Sequence, residues 1–106
     1  MKEPDFPGRE ALRIRTLYNL SVLDTRTEER YNRLTRIAQR VFDAPIVLIS
    51  LVDTDRQWFK SSLGLDLTEM PRSISFCGHA ILYDEVFVIP DAKLDQRFSD
   101  NPIVIG

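Results

Sequence analysis

The stretch that most constrains the fold is IVLISLVDTDRQWFKSSLG, residues 46–64. Ile46 to Val52 is apolar almost without interruption and rich in β-branched side chains, as in an inner strand covered on both faces. Asp53-Thr54-Asp55 is turn chemistry, because short acidic and hydroxyl side chains bond their own backbone. Gln57 to Leu63 returns as the partner strand, and alternation sends Trp58 and Phe59 to opposite faces. A hairpin of this kind folds only if other elements cover it.

The covering elements are legible upstream. From Arg9 to Leu20, Ala11, Ile14, Leu17 and Tyr18 recur at helical spacing after a Pro7-Gly8 break, so residues 9–24 read as a first helix with its connection and residues 1–8 as a flexible N-terminus. Thr25 and Glu28 have the spacing of a capping box, and Pro45 ends a second helix. Tyr31, Leu34, Ile37, Ala38, Val41 and Phe42 make its expected core face; Arg33, Arg36 and Arg40 make its solvated face, with Glu29 placed to pair with Arg33.

Downstream, residues 64–73 read as a loop and the VFVI stretch, 86–89, as a third strand. Between them Ser73 or Ser75 can cap a short helix carrying Phe76, Ala80 and Ile81 inward. After Pro90, Asp91 can cap a helical turn on which Leu94 and Phe98 lie one turn apart. The final IVIG opens a further element.

At 106 residues the chain is one domain with room for a modest core. Its 14 basic and 16 acidic side chains give a net charge of −2, which offers no field for nucleic acid. No apolar run approaches the roughly 20 residues that span a bilayer, and acids and prolines stand at the N-terminus where a signal peptide needs an apolar stretch. The expectation is a cytoplasmic protein without nucleic-acid or membrane partners.

The chain has a single cysteine, Cys77, and a single histidine, His79. Each helical residue advances about 100°, so on a helix the two side chains point about 200° apart and form no catalytic dyad. A structural zinc site needs four protein ligands, and these two are the only Cys and His. No catalytic or metal residue is therefore assigned. His79 alone suits a haem ligand and Cys77 alone a tether or oxidant sensor, but free cysteine more often packs as a small hydrophobe. Asp91, Asp95 and Arg97 could line a polar mouth, or serve as caps and surface pairs.

The stretches VLDTRTEERYNRLTRIA, ISLVDTDRQWFKSSLGLD, SFCGHAIL and IPDAKLDQRFSDNPIV, in that order from about Arg9 to Ile105, resemble the front part of a GAF domain of bacterial signalling proteins. The resemblance implies an α+β fold, a central antiparallel sheet with helices on both sides. It also implies a small-molecule pocket with Phe76, Cys77, His79, Asp91, Arg97 and Phe98 as candidate wall residues.

In function, the resemblance implies a non-enzymatic sensory domain controlling an attached output such as a histidine kinase or diguanylate cyclase. Relatives bind cyclic nucleotides, haem or bilins; the ligand and any cofactor here are left unnamed. Bilin-binding relatives place the tethering cysteine directly before a histidine, whereas Gly78 intervenes here. A GAF domain continues past the position of Gly106, so the C-terminal part is read as missing, and an exposed sheet edge is expected to drive homo-oligomerisation. The alternatives are a ligand-free dimerisation module and a thiol-based redox sensor or enzyme using Cys77.

Overall fold

The computed structural model describes residues 2–105, the side chains of Ile103 and Ile105 excepted. Helix α1 spans Glu10–Asn19 and α2 spans Glu29–Phe42. Strands β1, Val47–Val52, and β2, Arg56–Leu63, form the expected hairpin, closed by the Asp53 N–H donating to the Arg56 carbonyl at 2.8 Å. A short strand β3, Glu69–Pro71, follows, then a 3-10 turn at Arg72–Ile74, helix α3 at Phe76–Ala80, and a single turn α4 at Pro102–Ile105.

The sheet is antiparallel in the order β1-β2-β3. β2 is therefore the central strand of the described sheet, and β1, expected to be inner, lies at its edge and is mostly half-buried. The expected loop 64–73 contains β3. Gly64 turns the chain at φ +85°, where a Cβ would lie 1.9 Å from the Pro45 carbonyl oxygen, so only glycine fits. The chain then returns along β2 with Gln57 opposite Met70, whose side chain is buried. Pro71, lacking an N–H, is tolerated because this strand is at an edge.

Residues 86–89 form no strand. Val86 is 90% exposed, and no described strand lies beside it to pair with. Residues 91–101 form successive turns, the first capped by Asp91 as expected: Asp91 and Asp95 each accept backbone N–H bonds from the residues that follow. Leu94 is exposed, whereas Phe98 is fully buried.

A bulge between Ile49 and Ser50 sets the register on the α2 face. It sends both Lys60 and Ser61 toward α2, where each finds polar partners. Ser61 Oγ lies 3.0 Å from Thr35 Oγ1 and donates to Asn32 Oδ1 at 2.7 Å. This buried bond chain turns Thr35 toward the sheet, and Leu34 and Val41 lie about 100° and 120° around the helix from it. The expected apolar face is thereby corrected. Tyr31 and Ala38 are half-buried, but Leu34, Ile37, Val41 and Phe42 are exposed.

The expected capping box does not form either. Lys60, 2% exposed, donates to Thr25 Oγ1 at 2.7 Å and to the Arg26 carbonyl, and its ammonium lies 2.8 Å from Glu28 Oε2. A buried ammonium needs three acceptors, and it draws Thr25 and Glu28 away from the helix start. Glu29 pairs with Arg36, two turns on, instead of Arg33.

α1 sits by the turn end of β1, with Arg13 donating to the Val52 carbonyl and the Tyr18 hydroxyl to Asp53 at 2.8 Å. α3 covers the face opposite α2, so helices flank the sheet on both sides. Residues 2–8, expected to be flexible, run against α3. Met1 and Gly106, the ends of the expected 1–106 domain, lie outside the described residues.

Candidate functional site

Ser75 positions α3. Its extended backbone precedes the first helical residue and its Oγ accepts the Gly78 N–H at 3.0 Å, while the same hydroxyl donates to the Arg72 carbonyl at 2.8 Å. Cys77 and His79 then leave α3 in different directions, as the helical step requires.

Cys77 faces the sheet. Gln57, 3% exposed, donates its amide to Cys77 Sγ at 3.1 Å and to Ser50 Oγ at 2.9 Å; the register places both Ser50 and Gln57 on this face. Ser50 and Cys77 line a cavity of about 510 Å³ between β1, α1 and α3, with Leu17, Val52, Ala80 and Ile81 among its apolar walls. That volume lies in the range of small-molecule sites. Arg13 is the one charged residue lining it, held by Glu10 at 2.8 Å. An apolar cleft lined by the Thr16, Ser50 and Tyr83 hydroxyls, a thiol and Arg13, whose guanidinium is already bound by Glu10 and the Val52 carbonyl, can hold a ligand with a flat body and few polar groups. It offers no nucleophile–base pair.

A second cavity of about 430 Å³ lies on the α2 face, beside Lys60, Glu28 and Tyr31. Its buried ammonium is already matched by Thr25, Arg26 and Glu28. It is the poorer site for a largely apolar ligand because three charged residues, Glu28, Arg30 and Lys60, line it, against Arg13 alone in the first.

The other sequence-predicted site residues gather elsewhere. Phe98 is enclosed by Phe76, His79 and Phe87, with ring centroids at 4.6, 4.9 and 6.2 Å. The Arg97 guanidinium lies 5.1 Å from the ring centroids of both Phe87 and Phe98, and pairs with Asp95 at 2.9 Å. Its hydrogen bonds hold the Asp95 carboxyl down at about 2. His79 Nε2 lies 2.9 Å from the Lys2 carbonyl oxygen. Phe76, His79, Arg97 and Phe98 thus form a filled aromatic cluster behind α3, while Cys77 alone of the six lines the 510 Å³ cavity. Asp91 is exposed and accepts the Lys93 N–H at 3.0 Å.

Sequence reasoning missed Ser50, Gln57 and Arg13. The signal was present in Gln57, a polar residue two positions from Phe59 and so on the same face of an apolar hairpin. Among the described residues no group of three or more His, Cys, Asp or Glu side chains could hold a metal ion, and no helix is long and apolar enough to cross a membrane.

A cyclic di-GMP phosphodiesterase of Pseudomonas aeruginosa is 42% identical over 106 residues, which is all of this chain and 18% of that protein. The chain therefore spans less than a fifth of that relative's length. The GAF domain model matches residues 26–105, from the connection before α2 through the hairpin, α3 and the aromatic cluster. With that match over most of its length, and a sheet flanked by helices on both faces, the chain belongs to the GAF domain family.

Proposed function

We propose that this chain is the sensing part of a signalling protein, taking a small ligand between β1 and α3. Membership of a family of regulatory domains supports a role in control rather than catalysis. The output is proposed to lie in a separate domain, where the phosphodiesterase relative favours hydrolysis of a cyclic dinucleotide over the kinase or diguanylate cyclase that the resemblance suggested.

The observation that carries the ligand reading is the 510 Å³ cavity, whose walls are mostly apolar and whose lining holds one cation, Arg13. A cyclic mononucleotide, with one flat base and one phosphate, suits that lining, its phosphate competing with Glu10 for Arg13. Ligand held there touches Cys77 and Ala80, so occupancy bears on the position of α3.

Thermal unfolding of the chain with cyclic AMP and cyclic GMP tests the reading, since a ligand that binds only the native state raises Tm. A saturable rise that is lost in Ala80→Trp, which fills the cavity, is expected. No rise with either probe, or a rise that survives the filled cavity, contradicts it. Self-association belongs to the same proposal, supported by the exposed Leu34, Ile37 and Val41 on α2; sedimentation as a monomer at high concentration would remove it.

A further inference from the structure

Residues 2–8 carry no helix or strand, yet they are tied down at four points. The Lys2 N–H donates to the Arg97 carbonyl at 3.1 Å, and the Lys2 carbonyl oxygen lies 2.9 Å from His79 Nε2. Pro4 packs on Gly78 so closely that a Cβ there would lie 2.6 Å from its Cγ. The Phe6 ring centroid lies 4.4 Å from the Arg72 guanidinium.

All four points lie on α3, on the turn that leads into it, or on the aromatic cluster behind it. Gly78 sits inside α3, where glycine is less favourable than alanine, and Pro4 on one side and Ser75 Oγ, 2.8 Å from a Cβ there, leave no room for a side chain. Arg72 completes the connection. It is 3% exposed and donates to Glu10 and to the Asp53 carbonyl at 3.1 Å, and its buried Nε has no hydrogen-bond acceptor, leaving the Phe6 face as a partner for the cation.

We infer that residues 2–8 are a strap that latches α3 against the sheet, so that docking of the strap and placement of the wall carrying Cys77 are two ends of one equilibrium. Coupling of this kind is reciprocal: whatever draws the strap away loosens α3, and whatever displaces α3 frees the strap. The inference stands whether or not a ligand enters the cavity.

Amide hydrogen exchange on the 106-residue chain tests it, comparing the native sequence with Phe6→Ala and Pro4→Ala, both of which alter the strap and leave the Ser75 cap untouched. Phe6 is 66% exposed, so its truncation leaves the core intact. The α3 reporters are the amides of residue 78 and Ile81, which donate to Ser75 Oγ and the Cys77 carbonyl. Both variants should speed exchange at these amides and the reaction of Cys77 with a thiol reagent by about fivefold or more, with the β1–β2 amides unchanged. Unchanged α3 exchange in Phe6→Ala overturns the coupling, as does a native Lys2 amide that exchanges like a free peptide. If Pro4→Ala also loses protection in the sheet, it has unfolded and Phe6→Ala decides alone.

Discussion

Replacing Glu10 by glutamine removes the carboxylate on which two arginines converge. Glu10 accepts from Arg13 at 2.9 and 2.8 Å and from Arg72 Nη1 at 2.5 Å, bonds that tie α1 to the turn before α3. The Arg13 hydrogen bonds, then those of Arg72, outweigh the cost of burial and hold the carboxyl at about 2, against an ordinary 4.5. At about 1.36 kcal/mol per pH unit that displacement corresponds to about 3.4 kcal/mol. The side chain is 23% exposed, and screening by water brings the expected contribution to about 1.5–2 kcal/mol.

The sign follows from the lowered folded value. The contribution is fully present above pH 4.5 and is lost as pH falls toward 2, where the native glutamate is protonated and resembles glutamine. Urea unfolding of the native chain and Glu10→Gln between pH 2 and 7 reads this directly, because other carboxylates titrate alike in both proteins. The two curves should differ by about 1.5–2 kcal/mol at pH 7 and converge near pH 2. A gap that is absent, or constant with pH, refutes the reasoning.

Phe98→Ala empties the centre of the aromatic cluster and should cost about 3 kcal/mol or more in chemical denaturation, with exchange rising first at residues 84–101. Lys60→Met keeps the aliphatic stem but strands Thr25, Arg26 and Glu28. Because Thr25 and Arg26 are exposed and Glu28 can rehydrate, a loss of about 1–3 kcal/mol in urea is expected, and a loss of zero would remove the bulge anchor. Val41→Asp should change stability by no more than about 0.5 kcal/mol, since Val41 is 69% exposed; a chain that fails to fold would place Val41 back in the core.

The hairpin, α1 and a serine cap on α3, at Ser73 or Ser75, were legible because each depends on local chemistry: alternation, helical spacing, and a serine three residues before the amide it accepts, which the structure makes Ser75. The facing of α2 was not legible. A hydrophobicity pattern places Leu34 and Val41 inward, but the bulge beneath the helix presents Ser61, and a buried hydroxyl must find partners. The capping box failed for a related reason: Lys60, distant in sequence, outcompetes the backbone for Thr25 and Glu28.

At the site, the family resemblance pointed to α3 and to residues 91–101, and both segments pack together as Phe76, His79, Arg97 and Phe98. The cavity itself lies on the other side of α3, and that division needs the orientation of a five-residue helix. Strand β3 was hidden by its proline and its length of three residues, and the VFVI stretch had the composition of a strand without a neighbour to pair with.

The central claim is that the cleft beside Cys77 is a ligand site, and chemical-shift mapping of the chain titrated with cyclic AMP and cyclic GMP tests it most directly. The account predicts saturable shifts for at least one of the two, concentrated on Ser50, Gln57, Cys77 and Ala80, with Lys60 and Tyr31 unmoved. Saturable shifts centred on Lys60 and Tyr31, or none with either nucleotide, would contradict it.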